Sequence, residues 1–241
     1  VGGAGLYGVD LTVVAIPFAG ADRYCYRVLQ TASPSNWKWV VLDLPGRGPR
    51  GKEQRLLAIT EMVEDLHQSL RQQLPKGPYV VLGHSMGAIL AYELMRLLGA
   101  RGMALPFGAL LSSIAAPGVP RTRFVSHLPS TEFWDVMRSY NGVPEGIASN
   151  PALRDYFEPV LRADFAAIER YRPQGGVVEA LPLQLALRWG NTEKLEDADM
   201  KQWSQASSLE VDFKQHPGGH FYLFNTPELV IADLVKLALR Q

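Results

Sequence analysis

The chain has 241 residues, of which 47% are hydrophobic and 20% charged, enough apolar material for one large α/β domain with a substantial core and too much for a disordered chain. Lys plus Arg equals Asp plus Glu at 24 each, so no net field draws the chain to nucleic acid or to an anionic membrane surface. No apolar run reaches transmembrane length and no secretory signal is evident. The single cysteine, Cys25, excludes an internal disulfide, is expected to be a packed free thiol, and fits a reducing, cytoplasmic setting.

The start, Val1-Gly2-Gly3-Ala4-Gly5, lacks a methionine and is set aside as an expression scar or trimmed end. Leu11 to Ile16 is β-branched, continuous and ended by Pro17, the pattern of a buried strand. A small-residue turn, Phe18-Ala19-Gly20-Ala21, and a short helical stretch through Tyr26 and Leu29 follow. Trp39 to Leu44 is the next buried strand, stopped by the breakers of Asp43-Leu44-Pro45-Gly46-Arg47-Gly48. Ile59, Val63, Leu66, Leu70 and Leu74 recur at steps of three and four and predict an amphipathic helix, capped by Thr60, supported early by Glu61, Glu64 and Asp65, and ended by Pro75.

Tyr79 to Leu82 is an apolar run, and Ala88 to Leu98 is helical, with Gly99 as its expected C-cap. Between them stands Gly83-His84-Ser85-Met86-Gly87. This is strand, sharp turn and helix with a serine at the apex. A tight turn pushes the hydroxyl out of the sheet, and the following helix aims its first N–H groups at developing negative charge. The flanking glycines let helix and strand approach. An ordinary strand-to-helix turn would explain the pentapeptide equally if it stood alone.

Phe107 to Ser113 is a further buried strand, after which the strand–helix alternation stops. From Pro117 to Pro173 the pattern is helices and loops: one helix over about 131–140 stopped by Asn141-Gly142, and a second opened by Asn150-Pro151, with a kink or restart at Pro159, running to about Arg170. Leu183 to Trp189 resumes the sheet, Leu209 to Phe213 is the last strand, and Thr226-Pro227 starts a C-terminal helix to Leu239. Alternating βα units with one helical insertion predict a mostly parallel sheet flanked by helices, a single α/β-hydrolase domain over 1–241 with an inserted α-helical lid at about 118–172.

A serine nucleophile needs a base, and in this fold the order along the chain is serine, acid, histidine. His220, in Pro217-Gly218-Gly219-His220-Phe221 just past the final strand, is placed to be that base. His216 would suit a metal pair with His220 only on a helix, which Pro217 and two glycines forbid, so no metal is expected and His216 is read as a surface residue. The acid should follow the Leu183–Trp189 strand. Glu193 is nearest the strand end, Asp197 is the alternative and Asp199 lies further on. The oxyanion donors expected are the N–H groups of Met86, just after the serine, and of Ala19, in the turn after the first strand. His84 should point away from the nucleophile and act as support. On the lid, Phe133, Trp134, Met137 and Tyr140 share a helix side; such aromatics serve as core in most helices, and here some are expected to line a substrate channel. The loop with Arg47, Arg50, Lys52 and Arg55 against Glu53 is locally basic; a solvated loop is one reading and a docking surface for an acidic partner the other.

These segments together resemble the stand-alone (type II) thioesterases that serve polyketide and non-ribosomal peptide synthases. The resemblance runs nearly end to end: Pro17-Phe18-Ala19-Gly20, Leu44-Pro45-Gly46-Arg47, Gly83 to Ala88, Ser112 to Pro117, Leu161-Arg162-Ala163-Asp164-Phe165 and Gly218-Gly219-His220-Phe221. It implies Ser85 as nucleophile, His220 as base, a helical lid over an acyl pocket, no cofactor, and acyl or peptidyl carrier proteins bearing phosphopantetheine thioesters as partners of a monomeric enzyme. The family usually has aspartate at the position of Glu193 and a second glycine at Ala21. A general carboxylesterase or lipase, and a non-catalytic hydrolase-fold binding protein, are the competing readings. Comparing oxygen esters with thioesters, and labelling Ser85 with a fluorophosphonate, would separate them.

Overall fold

The computed structural model describes residues 10–73, 77, 79–140, 143 and 145–239. Six strands form one sheet: β1 (Thr12–Ile16), β2 (Lys38–Val41), β3 (Tyr79–His84), β4 (Gly108–Ser112), β5 (Gln184–Gly190) and β6 (Asp212–His216). The helices are α1 (Arg27–Ala32), α2 (Ile59–Gln73), α3 (Met86–Ala100), α4 (Ser130–Ser139), α5 (Glu145–Ala148), α6 (Pro151–Arg170), α7 (Asp197–Lys201), α8 (Tyr222–Asn225) and α9 (Pro227–Leu239). Every pairing is parallel, in the order β2-β1-β3-β4-β5-β6. The central strands β3 and β4 are buried at every position, as a parallel sheet covered on both faces requires.

Side-chain alternation divides the core. Val14, Ile16, Val81 and Leu111 face one way and pack with Met62, Leu66, Ile89 and Leu94 of α2 and α3. Val13, Ala15, Val80, Leu82 and Leu110 face the other way and pack with Tyr26, Leu29, Val230 and Leu234 from the α1 and α9 side. The insertion between β4 and β5 has a core of its own, Val125, Phe133, Trp134, Met137 and Leu161. That separate cluster is why the chain departs from βα alternation here: these apolar residues satisfy one another rather than a sheet face.

Several boundaries differ from expectation. Pairing of the second strand ends at Val41, although Leu42 and Leu44 remain buried. The last strand starts at Asp212, not Leu209, which makes His216 its final residue. His216 is therefore buried rather than on the surface, with Nε2 2.7 Å from an Asp233 carboxylate oxygen on α9; Arg188 of β5 joins the same carboxylate at 2.8 Å. Thr60 lies inside α2, not at its cap; the Glu61 carboxylate accepts the Leu57 N–H there at 3.1 Å. Gly99 belongs to α3, and the left-handed closing residue is Gly102, with φ +65°. Gly102 N–H donates to Gly99 O and Met103 N–H to Leu98 O, the paired bonds of a Schellman end. Asn150 caps α6 as expected, accepting from Ala152 and Leu153 with Pro151 at the first position. The helix then runs through Pro159 to Arg170 without a restart. Residues 1–5, Leu74, Pro75 and the Asn141-Gly142 stop lie outside the described residues.

Candidate active site

The strand order decides where a site can form. The chain leaves β1 for β2 on one side and returns to β3 on the other, so the loops at the carboxyl ends of β1 and β3 diverge and leave a crevice. The turn Phe18–Ala21 and Ser85 both stand at that crevice. Ser85 takes φ 54° and ψ −126°, a conformation that an L residue adopts only under strain, between the last residue of β3 and the first of α3. Two glycines permit it. A Cβ on Gly83 would stand 2.4 Å from Gly87 O, and one on Gly87 would stand 2.4 Å from Ile16 O. Ser85 N–H donates to Ser112 O at 2.8 Å and ties the turn to β4.

Two backbone donors face no protein acceptor. Within the first turn Ala21 N–H donates to Phe18 O at 3.1 Å and Gly20 N–H to an Asp164 carboxylate oxygen at 2.7 Å. Among the described residues the N–H groups of Ala19 and Met86 have no protein acceptor.

His220 and Glu193 meet. The His220 Nδ1 is in short contact with Glu193 Oε1, and both side chains are close to buried. Two loops are stitched together to bring this about. Asn191 N–H donates to His216 O at 2.8 Å and Thr192 N–H to Gly218 O at 3.0 Å, and the Asn191 side chain accepts the Gly218 N–H at 3.0 Å. The contact is so close that a Cβ on Gly190 would lie 2.3 Å from both the Gly218 and Gly219 carbonyl oxygens. Glu193 N–H closes its own turn onto Gly190 O at 3.1 Å. Asp197 is not brought to His220: it is exposed at the start of α7 and accepts from Gln215 at 3.2 Å. Asp199, half-buried in the same short helix, accepts the Ala116 N–H with its backbone oxygen at 3.4 Å.

His84, expected to point away from the nucleophile and act as support, packs beside the base. Its ring is buried 4.9 Å from that of His220, with Phe18 at 5.7 Å and Phe221 at 5.2 Å. Nδ1 is 3.0 Å from Ser112 Oγ, which is 3.0 Å from the Tyr222 hydroxyl. Burial, reinforced by the charge of His220, pushes the His84 pKa well below the usual imidazole range, so it is neutral. Burial likewise pushes the Tyr222 phenol up, so it stays protonated.

Of the four lid side chains, only Tyr140 reaches the base, with ring centroids 5.2 Å apart and the Arg123 guanidinium 5.7 Å from its ring centre. Phe133, Trp134 and Met137 are not brought to the site. They fill the insertion's own core, where the Trp134 N–H donates to Glu158 at 2.6 Å. The basic loop is also altered. Arg47 is buried and clamps Asp164 with both terminal nitrogens, and Arg50 pairs with Asp65 and Glu53. Lys52 and Arg55 alone of the four basic residues stay exposed, too few for the charged docking surface considered from sequence. Asn191 was not named from the sequence, and Asp164, named only within the Leu161–Phe165 segment, was not assigned a role. Asp164 could have been: it sits on the apolar stripe of α6 with Leu161 and Ile168, where an unpaired carboxylate would be costly.

The thioesterase-domain family pattern matches residues 11–236. The chain belongs to that family. It is 28% identical over 227 residues to the gramicidin S biosynthesis protein GrsT of Aneurinibacillus migulanus, covering 94% of this chain and 88% of that protein. Among solved structures it superposes on the RedJ thioesterase from the prodiginine pathway of Streptomyces coelicolor with a TM-score of 0.86 and 26% identity, over 96% of this chain and 87% of that one. On YbtT, a type II thioesterase from the yersiniabactin NRPS/PKS pathway, the TM-score is 0.83 with 27% identity, over 95% of this chain and 93% of that one. The thioesterase is thus an α/β-hydrolase, and its type II resemblance extends over nearly the whole chain. No helix among the described residues of the thioesterase is long and apolar enough to cross a membrane.

Proposed function

We propose that this thioesterase releases acyl groups from phosphopantetheine thioesters on carrier proteins through an acyl-serine at Ser85. The contact of His220 with Glu193, together with the strained Ser85 turn and the unengaged N–H groups of Ala19 and Met86, carries this reading. Glu193 holds the His220 Nδ1–H, which leaves Nε2 as the nitrogen that accepts the Ser85 hydroxyl proton. Ser85 Oγ attacks the thioester carbonyl carbon, and the oxyanion that forms accepts hydrogen bonds from the N–H groups of Met86 and Ala19. The carbon–sulfur bond breaks and the pantetheine thiol departs with the proton from His220. Thiols ionise near pH ~8.5, so the leaving group needs little acid assistance. Water then gives a proton to His220, attacks the acyl carbon and frees the acid, returning the proton to Ser85.

The biosynthetic settings named for RedJ and YbtT support an editing role in which stalled or misprimed acyl chains are cleared from synthase carrier domains. The insertion over 118–172 serves as a lid whose Tyr140 contacts the acyl group beside His220. The enzyme works as a cytoplasmic monomer. The test is hydrolysis of acyl-carrier thioesters by the wild type and by Ser85→Ala, with matched oxygen esters in parallel. Turnover by the wild type, absent in Ser85→Ala and slower on oxygen esters, is expected; equal turnover by both proteins would refute the assignment.

A further inference from the structure

Three segments far apart in the chain converge on one buried carboxylate. Asp164 of α6 accepts the Gly20 N–H at 2.7 Å and a two-pronged bond from Arg47, whose Nη2 is 2.8 Å away. Both side chains of the ion pair are almost without solvent exposure, at 4% and 0%. One turn before Asp164, on the same face of α6, Leu161 packs directly on Gly20: a Cβ there would meet Leu161 Cδ2 at 2.4 Å, and Gly20 has φ +77°. Helix α6 is therefore bolted to the turn after β1 by one apolar and one ionic contact.

The turn has three consecutive N–H groups, from Ala19, Gly20 and Ala21. Ala21 is engaged within the turn by Phe18 O and Gly20 by Asp164. Fixing the Gly20 N–H fixes the peptide plane between Ala19 and Gly20, and with the Phe18–Ala21 bond this sets the direction of the Ala19 N–H. A buried ion pair is a poor device for stability alone, because apolar replacements of similar volume are often neutral or better. Its retention here has a more specific explanation. We propose that Asp164, held by Arg47, is a positioning residue for the oxyanion: by accepting the Gly20 N–H it aims the Ala19 N–H at the charge that develops on the substrate. This rests on the assignment of Ser85 and of the Ala19 donor. It also makes α6 the fixed wall of the lid, because lifting α6 would disturb the turn.

The test compares two neutral pairs on an acyl-pantetheine thioester. Arg47→Met with Asp164→Leu removes the acceptor for Gly20 without leaving a buried charge, whereas Arg47→Met with Asp164→Asn keeps an acceptor oxygen. The Leu pair should lose about ten- to a hundredfold in kcat with KM unchanged, part of the 10²–10³ that a whole oxyanion donor is worth. The Asn pair should recover most of that loss. A trifluoromethyl ketone analogue, which forms a tetrahedral adduct on the serine, should lose affinity in step with kcat, an effect general loosening of the fold would not restrict to this ligand. Folding is checked by circular dichroism and melting. If the Leu pair does not fold, Asp164→Glu carries the test, since it retains the charge pair but displaces the carboxylate by a methylene, and the same kcat loss is expected. Folded variants with wild-type kcat and analogue affinity overturn the proposal, while a wild type whose turnover does not depend on Ser85 overturns the assignment of the site instead.

Discussion

Glu193 reaches His220 because its loop is pulled toward the last strand. A glutamate is one methylene longer than an aspartate, and the Asn191 and Thr192 bonds to the opposite loop hold its backbone where that longer side chain meets the imidazole. Glu193→Gln keeps the shape but removes the charge that stabilises the imidazolium and selects its tautomer. A fall in kcat of roughly 10²–10⁴ is expected on an acyl-pantetheine thioester. Asp197→Asn, which removes a surface charge but keeps an oxygen that can accept from Gln215, should stay within about twofold of wild type, as surface substitutions change little. The reverse ranking would transfer the role of acid to Asp197.

At the scale of elements, the site depends on how closely loops and helices approach. Gly190→Ala places a methyl against two carbonyl oxygens, so the Glu193 and His220 loops must part. The expected result is a loss of kcat as large as that of Glu193→Gln, together with a lower Tm, both measured on the purified variant. The lid divides differently. Phe133 is wholly buried in the insertion's core, so Phe133→Ala should cost about 3–5 kcal/mol in urea unfolding. Tyr140→Leu should cost far less stability yet alter the ranking of acyl chain lengths by kcat/KM, because Tyr140 alone of the four touches His220. An unchanged ranking would remove Tyr140 from the acyl channel. Much of this level was legible in the chain: the helix opened by Asn150-Pro151 and the β-branched strands follow from local chemistry. The division of the lid aromatics was not, because periodicity identifies a shared helix face but not what covers it.

For the whole molecule, parallel strand order sets the crevice and buried polar groups set the acid tolerance. His84 and His67 have pKa values lowered by burial, His84 further by His220 and His67 further by Arg101. The unfolded chain binds their protons below about pH 6.5, so the stability they contribute is present above that pH and lost as pH falls through it. Burial opposes ionisation of Asp233, but His216 and Arg188 outweigh it and hold its carboxyl far below the usual range. Its contribution is present above about pH 4 and is lost below. Urea unfolding from pH 8 to 3 should show two descending stages, and Asp233→Asn should flatten the second while costing about 3–5 kcal/mol at neutral pH by breaking a buried pair. Stability that stays level down to pH 5 would contradict the first stage.

The Ser85 turn is a property of the sequence itself, because the steric demands of a strand, a serine and a helix in close succession are met by glycines within two residues. The parallel order of the sheet is likewise implied by alternating strands and helices. Which carboxylate meets His220, which lid aromatic meets the base, and that Arg47 is engaged with Asp164 rather than solvated were decided only by tertiary structure. These contacts join residues tens to more than a hundred positions apart, and their geometry depends on ångström-scale approaches of loops that no local pattern in the chain encodes.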